Sequence, residues 1–192
     1  MLQRFAMLCC LAACCAGGAW AQNTAARFEY KLLATSRTTT MEKEMNEAAA
    51  NGYYFREVRS GETAFGGDEA VVVMERPVSA KPNRYSYQLL ATSKTSTMQK
   101  ELQTAGDKGF AYRGTSVFKK FIGREVVVIL ERDSEATPIS WDFKLLATNR
   151  TGTMQKELAE AGNDGYEFVG FAVGETAFGG TELVSILRRP KK

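Results

Sequence analysis

Three loops in this chain set one cation among hydroxyls at what reads as a helix start. They are Ser36-Arg37-Thr38-Thr39-Thr40, Ser93-Lys94-Thr95-Ser96-Thr97 and Asn149-Arg150-Thr151-Gly152-Thr153. Free backbone N–H groups and the helix dipole favour anions at such a place. Arg37, Thr38, Lys94, Thr95, Arg150 and Thr151 are therefore candidate ligands for phosphate, sulfate or carboxylate. Ordinary capping uses the same residue types. A second candidate set is Phe65, Phe121 and Phe178, each near glycine in a connection that reads as a hairpin tip. An aromatic there either anchors a partner or folds back over the sheet. Glu69, Glu125 and Glu182 recur as a third set, either a carboxylate ring for a divalent cation or members of ordinary ion pairs. Phe28, Tyr30, Trp141 and Phe143 could line a pocket, although their period-two spacing is that of core.

What is missing bounds the chemistry more tightly. The chain has no histidine, and its four cysteines (Cys9, Cys10, Cys14, Cys15) all precede Ala21. The commonest general base and the commonest transition-metal ligand are absent together. A Ser-His-Asp triad, a His-based zinc site and a Cys-His dyad are excluded, and so are a disulfide or thiolate ligand in the body of the chain. No catalytic residue, metal site or cofactor is assigned, and the chain reads as not an enzyme. A carboxylate-only or Ser-Lys enzyme stays open but has no supporting feature.

The first 21 residues read as a targeting segment. Arg4 gives a positive start, Phe5 to Cys15 is apolar but too short to span a bilayer, and Ala19-Trp20-Ala21 is an A-x-A cleavage site before Gln22. Leu11-Ala12-Ala13-Cys14 competes as a lipobox, in which residues 1–13 are removed and Cys14 is lipidated. Both readings export the protein, to the periplasm or medium in the first case and to the outer membrane as a lipoprotein in the second. Beyond Ala21 the formal net charge is about +2, too balanced for a nucleic-acid footprint. No later apolar run is long enough to cross a membrane.

These candidates are positioned by a repeat. Phe28-Glu29-Tyr30-Lys31-Leu32-Leu33-Ala34-Thr35 recurs as the blocks opening at Tyr85 and Trp141, and Thr97 to Leu102 recurs unchanged as Thr153 to Leu158. The unit is longer than the roughly 20–50 residues of usual solenoid repeats, and long enough to be a small domain. Its first block alternates with period two, predicting a strand whose inner face is Phe28, Tyr30, Leu32 and Ala34. Met41, Met45, Ala48 and Ala49 then follow helical spacing. Thr39 with Glu42 and Ser96 with Gln99 have capping-box spacing, and Gly52, Gly109 and Gly165 mark the helix ends. Two strands complete each unit, the last an almost continuous apolar run such as Val126 to Leu130.

The fold class is α+β: three tandem β-α-β-β units at 28–76, 85–132 and 141–189, with linkers at 77–84 and 133–140 and a tail at 190–192. Each unit is an antiparallel three-stranded sheet in the order 1-3-2 with one helix. All four prolines (Pro77, Pro82, Pro138, Pro190) fall outside the units. A unit of this size has little core of its own, so the three are expected to pack with pseudo-threefold symmetry. Leu33, Leu90 and Leu146, on the nominally outer face, would make the cross-unit contacts.

Gly162-Asn163-Asp164-Gly165-Tyr166-Glu167-Phe168-Val169 and Ile186-Leu187-Arg188-Arg189 carry a resemblance. Each unit resembles the bacterial domain of unknown function 4177 family, in which a helix ends near Gly-x-x-Gly-aromatic and the last strand closes on Leu-x-Arg. The family's usual Trp after the second glycine is Tyr53, Phe110 or Tyr166 here. The resemblance implies the fold and brings no activity. The expected function is a non-catalytic binding or scaffold module of the cell envelope, acting on an unknown protein partner or as an oligomer. The alternative is a small-anion or small-ligand binder using the three loops.

Overall fold

The computed structural model of the chain describes residues 27–63, 67–92, 94–119, 124–148, 150–175 and 181–191. The export segment with Cys14, and the hairpin-tip residues Phe65, Phe121 and Phe178, lie outside the described residues. Unit 1 runs β1 (Phe28–Thr35), α1 (Thr38–Ala50), β2 (Tyr54–Thr63) and β3 (Gly67–Pro77). Unit 2 runs β4 (Tyr85–Thr92), α2 (Thr95–Asp107), β5 (Ala111–Lys119) and β6 (Arg124–Asp133). Unit 3 runs β7 (Trp141–Thr148), α3 (Thr151–Asn163), β8 (Glu167–Glu175) and β9 (Thr181–Pro190). The sheets are ordered β1-β3-β2, β4-β6-β5 and β7-β9-β8, antiparallel throughout, as the repeat predicts.

The helix ends follow the sequence closely. Gly52, Gly109 and Gly165 have φ of 86°, 84° and 83°, a left-handed region that costs glycine nothing. The next residue's N–H then reaches back into the helix: Tyr53 to the Ala48 carbonyl at 3.2 Å, Phe110 to Ala105 at 3.1 Å and Tyr166 to Ala161 at 3.0 Å. This is the Schellman closure. Arginines from the last strand fasten it. Arg76 donates to the Asn51 carbonyl at 2.6 Å and Arg189 to the Asp164 carbonyl at 2.8 Å. Arg76, Arg132 and Arg189 also lie 4.6, 5.0 and 4.4 Å from the rings of Tyr53, Phe110 and Tyr166.

The helix starts differ from expectation. Arg37, Lys94 and Arg150 occupy the cap positions and make no side-chain cap bond. Instead the last residue of each first strand accepts from the cap residue's N–H, Thr35 from Arg37 at 3.2 Å, Thr92 from Lys94 at 3.3 Å and Thr148 from Arg150 at 3.1 Å. The predicted capping-box partners Glu42 and Gln99 point away, to strands of the following unit.

The packing corrects the face assignment of the first strand. Leu33 lies in the core of its own unit with Met41, Met45, Val72 and Met74, whereas Tyr87 and Leu89 enter that same core from unit 2. The second core repeats the pattern: Leu90, Met98, Leu102 and Val128 from unit 2 receive Phe143, Val184 and Ile186 from unit 3. The aromatic face is thus the cross-unit face and the Leu33 face is the internal one. Leu33 is the one buried residue of β1, on a face otherwise made of Glu29, Lys31 and Thr35, so the more apolar face of an alternating strand is not the one that meets its own helix.

Each inner sheet face is covered partly by its own helix and partly by the outer face of the next sheet. The two junctions repeat one another, and the repetition is open-ended. Among the described residues nothing covers Phe168, Phe171, Val173 and Leu183 of unit 3 or Phe28, Tyr30 and Leu32 of unit 1, which are exposed.

Candidate functional site

The polar residues with the best claim to chemistry sit at the two junctions. Thr38 donates its hydroxyl to Glu125 Oε2 at 2.9 Å, and Thr95 donates to Glu182 Oε1 at 2.6 Å. Two of the three candidate loops therefore hand a hydroxyl to a carboxylate of the next unit. Arg37, Lys94 and Arg150 are exposed, as is Thr151. Glu125 and Glu182 each serve a separate junction instead of forming one ring. Among the described residues no group of three acidic side chains is placed to hold a metal ion, and no helix is long and apolar enough to cross a membrane.

A second polar layer was not legible in advance. β4 and β7 are edge strands, and their outward backbone groups need partners. Glu42 accepts the Leu89 N–H at 2.7 Å, while Asn46 accepts the Tyr87 N–H at 2.9 Å and donates to its carbonyl at 3.0 Å. At the second junction Gln99 accepts from the Leu145 N–H at 2.8 Å and donates to the Phe143 carbonyl at 2.9 Å. Gln103 accepts from the Phe143 N–H at 3.1 Å and donates to the Trp141 carbonyl at 3.0 Å. The signal was present as an acceptor-bearing pair at i, i+4 beside the apolar stripe, residues 42/46 and 99/103. That pattern equally describes a solvated helix face.

Junction 1 contains one buried polar cluster. The Tyr87 hydroxyl donates to Glu131 Oε2 at 2.7 Å and accepts the Phe55 N–H at 2.7 Å, while Arg113 Nε donates to Glu131 Oε1 at 2.8 Å. Burial pushes the Tyr87 phenol well above its ordinary range. Glu131 is only 3% exposed, so the two donors satisfy a carboxylate that would otherwise be costly to bury. Junction 2 has Phe143 at the Tyr87 position and lacks this cluster. Near it, a cleft of about 660 Å³ under the second linker includes Arg113, Glu131, Arg132, Trp141 and Arg188 in its wall. Arg188 stacks 4.4 Å from the Trp141 ring. Under the first linker, Arg84 forms a two-point contact with Asp133 at 3.0 and 2.6 Å, which holds that carboxyl below its ordinary range.

Glycines record where sheets touch. A Cβ on Gly114 would stand 3.1 Å from the Phe55 ring, and one on Gly170 would overlap the Tyr112 hydroxyl. The same register position in unit 1 is Glu57, exposed, with Arg59 at 3.6 Å. Glycine inside a strand is a known mark of close backbone approach, and here it separates units that sit on another from the one that does not. No protein-family model, curated protein or solved structure matches this chain.

Proposed function

We infer that the chain is a non-catalytic binding or scaffold module of the cell envelope. One observation carries the reading: the side chains best suited to chemistry hold units to each other, and what stays uncovered at both ends is apolar. Large apolar patches on a soluble domain mark interaction sites. The alternative, a small-anion binder, loses support at Arg37–Thr38 and Lys94–Thr95, because Glu125 and Glu182 put carboxylate beside the hydroxyls an anion would use. The absence of histidine, and of cysteine after Cys15, supports a non-enzymatic role. The helix ends repeated in all three units, with their arginine fasteners, support kinship of each unit with the domain of unknown function 4177 family. Export by residues 1–21, or lipidation at Cys14, would deliver the module to the periplasm, the medium or the outer membrane.

The test is photo-crosslinking in the intact envelope, with the probe at Leu32, Phe171 or the exposed control Lys43. Discrete protein adducts at the two apolar sites, and none at Lys43, are expected. Phosphate and sulfate should leave the melting temperature unchanged. A saturable anion-dependent rise that is abolished in the chain with Arg37, Lys94 and Arg150 changed to Ala would overturn the reading in favour of the anion binder. Turnover on a substrate panel would overturn it in favour of an enzyme.

A further inference from the structure

We propose that the partner of these apolar ends is a second copy of this chain, docked head to tail. The docking places α3 and the inner sheet face of one copy on the β1 face of the next. This deepens the scaffold reading and rests on it.

The chain contains this junction twice and carries both halves of a third. One half is the outer face of β1. Tyr30 and Leu32 are 65% and 68% exposed, while their counterparts Tyr87 and Leu89, buried in junction 1, are 4% and 8% exposed. The outward backbone edge of β4 is held by Glu42 and Asn46, and that of β7 by Gln99 and Gln103. Among the described residues no helix holds the β1 edge in this way.

The other half is unit 3. Met41, Met45, Met98 and Leu102 are fully buried beneath a following unit, but their counterparts Met154 and Leu158 are only half-buried. Phe168 and Phe171 pack edge to face at 4.8 Å and remain exposed. The polar residues of the junction persist too. Thr151 stands where Thr38 and Thr95 stand, and Gln155 where Glu42 and Gln99 stand. Their partners in the next copy would be Glu69, at the position of Glu125 and Glu182, and the Leu32 N–H. Tyr30 would meet the Phe168 N–H as Tyr87 meets that of Phe55.

Gly162 fits the same picture. At junction 2 its counterpart Gly106 leaves no room for a Cβ, which would stand 2.5 Å from the Trp141 carbonyl oxygen and 2.9 Å from the Phe143 ring. At junction 1 the counterpart is Ala49, buried in the shared core, so a covered helix accepts either glycine or a methyl there. A Cβ on Gly162 would meet nothing within 4 Å, and glycine is disfavoured inside a helix relative to alanine; a β1 strand seated as closely as β7 sits on Gly106 would account for it.

Three departures from the repeat fall on this junction. Ala159 lacks the amide of Asn46 and Gln103, Glu57 replaces the glycine of Gly114 and Gly170, and Arg59 replaces the small buried Ser116 and Ala172. Docking therefore opens on the β2 side compared with the internal junctions and is weaker than they are. The contact is heterologous, so copies close into a ring if the rotation allows and otherwise extend as a fibre.

The test is sedimentation velocity on the exported chain, with two surface variants that each block one half. Leu32→Asp blocks the β1 end and Gly162→Arg the α3 end. Neither position is packed in the single chain, so both variants fold. The wild-type mass should grow with concentration, and each variant should remain a single chain. An equimolar mixture of the two should give a two-chain species and stop there, because both free ends of that species are blocked. Glu57→Gly should shift association to about tenfold lower concentration, since it removes a side chain where Gly114 and Gly170 leave room for the preceding sheet. A wild-type chain that stays single at every concentration overturns the proposal, as does association of both single variants or a mixture that stays monomeric. Crosslinks from Leu32 to a different protein would sink self-docking while leaving the scaffold reading intact. Absence of any adduct at Leu32 and Phe171 would remove both.

Discussion

The first strand of unit 1 and the first strand of unit 2 share a pattern and differ in fate. Phe28-Glu29-Tyr30-Lys31-Leu32-Leu33 is bare on its outer face, whereas Tyr85-Ser86-Tyr87-Gln88-Leu89-Leu90 is buried on both. Nothing within the strands accounts for the difference. It arises because unit 1 covers Tyr87 and Leu89 of β4, while no unit among the described residues covers β1. Burial in this protein is a property of position in the row, which means that equivalent substitutions in different units should have unequal effects.

The largest contrast lies in the helix stripe. Met45 is fully buried, and Met45→Ala is expected to cost about 2–5 kcal/mol by cavity formation. Leu158, at the same place in unit 3, is half-buried and its change to Ala should cost well under half as much. Urea denaturation of both variants measures this, and equal losses would mean that unit 3 is covered in solution by something the single chain does not supply. Next in size is the glycine pair. Gly106→Ala forces the Trp141 backbone to move and should destabilise by about 1–3 kcal/mol. Gly162→Ala should stabilise the single chain by up to about 1 kcal/mol. Thermal melts at low concentration compare them, and a loss at Gly162 would show that its site is not open.

The smallest contrast expected between the junctions is at the buried phenol, where a single substitution is set against the natural Phe143 of junction 2. Tyr87→Phe leaves the Phe55 N–H and a Glu131 oxygen without that partner, at a cost of about 1–3 kcal/mol. The sign of its pH dependence follows from the raised pKa. The neutral phenol's contribution is complete below the unfolded value of about 10 and falls as pH climbs from there toward the folded value. The stability gap between wild type and Tyr87→Phe should therefore be constant below about pH 10 and narrow above it. A constant gap would place the effect in packing alone. Phe143 provides the natural control, since junction 2 already lacks the hydroxyl.

Much of a single unit could be read in advance. Period two, then helical spacing, then a glycine and an apolar run specify a β-α-β-β unit through local geometry, and the order of strands follows from short connections. Less of the junctions was legible. Thr38 and Thr95 have the composition of an anion site, and Glu42 and Gln99 the spacing of a capping box. Both sets are instead directed at backbone and carboxylates of the following unit. A side chain's type limits which bonds it can make; the neighbour that arrives decides which one forms.

The repeat, the elements of each unit, the helix ends and the exclusion of histidine and thiol chemistry in the body of the chain can all be read from residue order and composition. These depend on contacts between residues close along the chain, or on mere presence and absence. Which face of each first strand turns inward, that the hydroxyls of Thr38 and Thr95 serve junctions, and that apolar side chains stay exposed on units 1 and 3 emerge only in the folded chain. Those outcomes depend on contacts between units far apart along the chain, and units of nearly the same local pattern do not show which of their faces a neighbour will cover.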